Sequence, residues 1–170
     1  MIKKMICLSA LATNALMGET IGNVDYKIPD SAKEWKVANE MSNPKSSTVV
    51  YIPIESVTNG QQQIFTVHSN TLPSNISDDK IIVDGLLKTL EIYYPSMKVD
   101  GHIVEKDKDS LLFEWSVADQ GKETLHGWYR MFGSNDGTVL LGYQTGNING
   151  LEAERAIWVP ALKEAKQHNK

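Results

Sequence analysis

From Trp35 onward the chain alternates apolar and polar residues, and the period of that alternation changes twice. WKVANEMS (35–42) sets Trp35, Val37 and Met41 against Lys36, Ala38 and Glu40, a period of two that predicts a strand. STVVYIPI (47–54) is rich in β-branched residues and predicts the next. Pro53 must lie at its end or on an edge, because proline has no N–H to give to a ladder. QQIFTVHS (62–69) predicts a third strand. SDDKIIVDGLLKTLEIYY (77–94) then gathers Ile82, Val83, Leu86, Leu87, Leu90, Tyr93 and Tyr94 on one stripe, with Asp79, Lys80, Asp84, Lys88 and Glu91 mostly opposite, which predicts a helix. Ser77 or Asp78 can cap its start and Pro95 stops it. Gly85 costs such a helix about 1 kcal/mol relative to alanine, and is expected to mark close packing on the sheet.

The period of two then returns over Lys98–Lys106, Ser110–Val117, Glu123–Phe132 and Thr138–Thr145. The joining segments are short and rich in Asp, Gly, Asn and Ser, so these four runs are expected to form an antiparallel meander. In the closing stretch NGLEAERAIWVPALKEAKQHNK, Asn149 and Glu152 have capping-box spacing, and Leu151, Trp158 and Leu162 can face a sheet. Pro160 is expected to kink or restart this helix. Three strands, a helix, four strands and a helix make an α+β domain: a mainly antiparallel sheet of six or seven strands with helices packed on it.

Pairing Val117 with Glu123 and Phe132 with Thr138 puts Leu111, Phe113, Trp115, Val117, Leu125, Tyr129, Met131, Val139, Leu141 and Tyr143 on one face, almost purely apolar. A slip of one residue would mix the faces. The other face collects Glu114, His126, Trp128, Arg130, Phe132 and Gln144, with Glu114 opposite His126 and Trp128 opposite Gly142. Two readings of this second face stand. It is an ordinary, partly solvated polar surface. Or it is a shallow ligand or partner site, with Trp128 as aromatic anchor, Arg130 as anion or carboxylate clamp, and His126, Glu114 and Gln144 beside them. On either reading Trp128→Ala is expected to cost the fold less than Trp115→Ala.

The order of elements, with FEWSV and GWYRMF in the meander and a tryptophan in the last helix (ERAIWVPAL), resembles the PsbP-like group of small αβα sandwich proteins over roughly residues 28 to 166. It looks most like small exported bacterial members, of the kind found among type II secreted, virulence-associated proteins. The resemblance implies a protein-binding role without catalysis. PsbP assists a manganese cluster, but no residue here matches for that role to be carried over.

The first 18 residues change the picture of where the protein works. Lys3 and Lys4 precede a short apolar run, followed by small residues, the layout of a secretory signal peptide with cleavage near residues 15–18. Residues 19–34 then read as a flexible arm and 35–168 as a single α/β domain. The expected product is a soluble periplasmic or secreted monomer with no membrane span. Cys7, the sole cysteine, lies in the leader, so the remainder can form no disulfide. The net charge of −4, which loss of Lys3 and Lys4 makes more negative, argues against nucleic acid as a partner. Arg130 and Arg155 are the only arginines.

No nucleophile elbow, metalloprotease motif or phosphate-cradling glycine loop occurs. No catalytic residue, cofactor or metal ligand is assigned. The expected function is an exported, non-enzymatic interaction protein acting on a host or neighbouring cell. Its partner would be another protein or a small anionic ligand. The alternatives are a small hydrolase or metal-dependent enzyme using His126 and Glu114, and a binder of anionic lipid headgroups using Arg130 or the basic tail.

Overall fold

The computed structural model describes residues 19–21, 23–29, 34–54, 62–72, 76 and 78–168. The predicted signal peptide therefore lies outside the described residues. The elements are β1 (Glu19–Ile21), β2 (Val24–Tyr26), β3 (Trp35–Asn43), β4 (Ser46–Pro53), β5 (Gln63–Asn70), α1 (Asp79–Tyr93), β6 (Lys98–Lys106), β7 (Ser110–Asp119), β8 (Lys122–Ser134), β9 (Gly137–Thr145), α2 (Leu151–Glu164) and β10 (Lys166–Gln167). β3 to β9 form one antiparallel sheet in the order β3-β4-β5-β9-β8-β7-β6. The α+β expectation is met.

Two meanders meet at the β5–β9 pair. The chain leaves β5 in mid-sheet, and α1 carries it to the far edge, where β6 begins. Asp78 is the cap of α1, its side chain accepting from the Ile81 N–H at 3.2 Å. Ile82 and Leu90 are buried as predicted, whereas Tyr93 is 73% exposed. Tyr94, predicted on the same stripe, does pack against the sheet, on the indole of Trp115. Gly85 does not mark close packing: it lies on the exposed side, and an added Cβ would meet nothing within 4 Å. Gly85→Ala is therefore expected to stabilise the protein by about 0.5–1 kcal/mol, the helix-propensity difference. Urea denaturation of the variant measures this, and a loss of stability would contradict it.

The sheet has a core on each face. On one, α1 covers Leu111, Phe113, Trp115 and Val117, with Leu125, Tyr129 and Met131 at the margin. On the other, α2 sets Trp158 and Leu162 against Phe65, Val67, Leu112, Trp128, Phe132, Val139, Leu141 and Tyr143. The rings of Tyr143 and Trp158 stack at 4.0 Å. α2 runs through Pro160 as one helix, and no side chain caps its start, so the predicted Asn149–Glu152 box is replaced by a 3₁₀ turn over Ile148–Gly150. The segment expected to be a flexible arm contributes too. Val24 and Tyr26 are buried beside α2, in a small sheet of order β1-β2-β10. The alternation in Val24-Asp25-Tyr26 explains this, since it gives even a three-residue strand one apolar side.

The meander registers decide which side chains share a face. β7 and β8 turn at Gln120 and Gly121, both with positive φ (49° and 82°), as a two-residue type I′ turn requires. Val117 pairs with Leu125, not Glu123, a displacement of two residues that leaves the side chains of residues 111–117 and 125–132 on their predicted faces. A bulge after Val117 pairs Glu123 with Ala118 instead and moves it to the His126 face. In the next hairpin Phe132 pairs with Val139, not Thr138. That displacement is a single residue, so it moves Val139, Leu141 and Tyr143 to the opposite face. Glycines still seat aromatic rings, with other partners than predicted. Trp115 lies over Gly127 and Tyr129 over Gly142, so closely that a Cβ would come within 2.5 and 2.8 Å of the rings.

Candidate functional site

The register shift turns the supposed open face into a second core. Trp128 is 0% exposed, Arg130 4%, Glu114 6% and His126 7%. Four of the five predicted site residues do share this face, but they lie buried on the α2 side and cannot form a solvent-facing surface. Gln144 is separated from them. It pairs with Gly127 and Ile64 and lies on the α1 face. There it bonds the Tyr94 hydroxyl, offsetting part of the upward shift that burial gives that group.

The four remaining residues divide into two ionic clusters. In the first, Glu114 pairs across strands with Trp128, and His126 with Ser116, so Glu114 reaches His126 diagonally. His126 Nε2 lies 2.7 Å from Glu114 Oε1, and Nδ1 lies 2.7 Å from Glu123 Oε1. Arg155 of α2 closes over the cluster, donating from both terminal nitrogens to the Glu114 carboxylate, at 2.7 Å for one of them. Its guanidinium also sits 5.4 Å from the centre of the Trp128 ring. Burial alone would push the Glu114 carboxyl up. The hydrogen bonds from Arg155 and His126 outweigh it and hold the carboxyl below its usual value. The same carboxylate raises Arg155.

Arg130 anchors the second cluster. One terminal nitrogen donates to Asp107 Oδ2 at 2.8 Å and to Ser110 Oγ at 2.7 Å, and the other lies 3.7 Å from Glu105 Oε1. Its guanidinium lies 5.5 Å from the Phe132 ring centre. Its hydrogen bond holds the Asp107 carboxyl below the usual range. Lys163 of α2 pairs with Glu105 at the rim. The sequence predicts that Arg130 clamps the anion or carboxylate of a ligand; the carboxylates it grips here belong to the protein itself.

Sequence reasoning missed the partners in these clusters, Arg155 and Glu123 in the first and Glu105, Asp107, Ser110 and Lys163 in the second, and it missed a separate buried carboxylate, Glu154. Glu154 lies on the buried face of α2, where it accepts from Tyr143 Oη at 2.6 Å and Gln63 Nε2 at 2.5 Å. The rarity of arginine singled out Arg155 without placing it. Assigning Tyr143 to the correct face would have left an apolar surface needing cover, and α2 is the helix available to provide it.

Chemically, the His126 cluster lacks the aligned nucleophile that general-base catalysis needs. Both ring nitrogens face carboxylates, so neither is directed at a hydroxyl nucleophile or a cavity. Among the described residues no group of three His, Cys, Asp or Glu is arranged to hold a metal ion, and no helix is long and apolar enough to cross a membrane.

No family model matches the sequence, and no curated protein is similar to it. Among solved structures, the fold is similar to the solution structure of cyanobacterial PsbP (CyanoP) from Synechocystis sp. PCC 6803. The TM-score is 0.64 over 86% of this chain and 87% of that one, at 11% identity. The chain therefore has a PsbP-like fold, and at that identity the likeness is one of fold alone.

Proposed function

We propose that this chain is an exported, non-enzymatic interaction protein whose partner is another protein outside the producing cell. The observation that carries the reading is the internal use of the reactive groups: His126 and both arginines are spent on ion pairs within the fold. Recognition then falls to the half of the sheet formed by β3, β4, β5 and β9, on the α1 side. There Val50, Ile52, Ile64 and Leu140 are half-buried and belong to neither core. Thr48, Thr66 and His68 lie among them, and Met41 is 57% exposed at the margin. An aliphatic patch on an uncovered sheet face is a surface on which another protein can bury apolar area. The leader pattern in residues 1–18 supports export.

The test has two arms. Intact-mass analysis of protein recovered from the periplasm or medium should give an N-terminus between about residues 13 and 20, after a signal-peptide cut. Met1 on soluble cytoplasmic protein would refute export. Immobilised protein should capture a partner, and Val50→Asp or Ile64→Asp should weaken that capture by about 2 kcal/mol or more, the scale of an interface hot spot. Capture unaltered by both variants would remove the sheet face from the reading.

A further inference from the structure

At one end of the large sheet four segments converge: the β1–β2 turn, the β3–β4 turn, the end of β5 and the β8–β9 turn. They enclose a cleft of about 260 Å³. All but three of its lining residues are polar. Some of these groups hold the walls together. Asn43 Oδ1 accepts from the backbone N–H of Lys45 and Ser46, and Asn70 Oδ1 from that of Leu72. Others make no side-chain bond among the described residues: the hydroxyls of Ser47, Ser69 and Thr71, the ammonium of Lys45 and the carboxylate of Asp136.

We propose that this cleft is a binding site for a saccharide, with Ser47, Ser69, Thr71, Lys45 and Asp136 as the recognising groups. Three hydroxyls that each donate and accept, one donor-only ammonium and one acceptor-only carboxylate complement a ligand whose own surface is mostly hydroxyl. The polar and apolar parts of the lining are of similar extent, which suits the hydroxyl edges and C–H faces of a sugar better than a wholly apolar ligand. One cation opposed by one carboxylate gives no net attraction for a phosphate or another simple anion. The volume falls below the roughly 300–1,000 Å³ of sites for drug-sized molecules, which suits a single sugar unit. The proposal is independent of the sheet face considered above: it uses the tips of the strands, not their surface.

The experiment is a titration of the nitrogen-labelled protein with glucose, mannose and N-acetylglucosamine in turn, followed by amide chemical shifts. Glycine betaine and inorganic phosphate serve as zwitterionic and anionic probes. At least one sugar should give saturable shifts confined to residues 43–47, 69–71 and 134–138. The dissociation constant should be about 1 mM, as expected for a handful of neutral hydrogen bonds. Ser69→Ala and Thr71→Val, both near the surface, should each weaken that binding about fivefold, the effect of one hydrogen bond. The proposal is overturned if no sugar saturates by about 50 mM, well past a millimolar constant, or if the shifts map elsewhere. It is likewise overturned if betaine or phosphate binds there and the sugars do not.

Discussion

Trp128→Ala should destabilise the protein by about 3–5 kcal/mol, as much as Trp115→Ala, because each removes a fully buried large aromatic from a core. Trp115 is 1% exposed beneath α1 and Trp128 0% beneath α2. Trp128 is stacked 6.2 Å from Tyr143, 4.9 Å from the His126 ring, and covered by the Arg155 guanidinium. Both indole nitrogens are buried without a hydrogen-bond partner among the described residues. Truncation therefore relieves the same unsatisfied donor at each site, and that contribution cancels in the comparison. Guanidinium denaturation of the two variants measures both losses. A loss below about 1 kcal/mol for Trp128→Ala, far short of a core aromatic, would mean that α2 does not seal that face.

That equality reverses what the strand pattern alone suggests, and the reversal traces to one residue of register. In β7 and β8 the pattern is legible because Leu111, Phe113, Trp115 and Val117 leave one side nearly purely apolar, and a two-residue slip preserves it. β9 reads TVLLGYQT, with Val139, Leu140 and Leu141 consecutive, so alternation does not settle which side faces which core. The turn settles it. Gly137, at φ 142°, lets Ser134 pair with Gly137 and sets Phe132 against Val139. Once Val139, Leu141 and Tyr143 join Leu112, Trp128 and Phe132, that side is apolar enough to need a helix. The ends of the chain were hidden for a different reason. β2 is three residues long and pairs with β10, more than a hundred residues away in sequence, a contact with no local signal.

The candidate site was legible as residues and not as a role. Glu114, His126, Trp128 and Arg130 were correctly placed together, since parity within β7 and β8 is robust. Arg155, which pairs with Glu114, and Lys163, which pairs with Glu105 beside Arg130, come from α2, and only the tertiary packing of that helix shows that these charges are paired from within. A histidine, an arginine and a carboxylate on one strand face carry the same pattern whether they await a ligand or an internal counter-ion. Burial distinguishes the two cases.

Glu114→Ala should cost about 3 kcal/mol at pH 7. Removing one partner of a buried ion pair leaves the other charge uncompensated, at roughly 3–5 kcal/mol, and here the lower end applies because the Arg155 side chain is 37% exposed. The variant would also leave His126 and Arg155 facing each other without the carboxylate between them. The pH dependence carries the sharper test. Glu114 has its carboxyl held below the ordinary glutamate value of 4.5 in the folded state. The unfolded chain therefore takes up this proton first as the solution is acidified. The stabilisation is fully present above the ordinary value and is lost as pH falls through the depressed one. The stability gap between wild type and Glu114→Ala should accordingly be widest near neutrality and shrink below about pH 4. Denaturant melts of both proteins across that range measure it. A gap that stays constant into acid would show that the variant's loss comes from packing, and that the pairing with Arg155 and His126 contributes no net charge stabilisation.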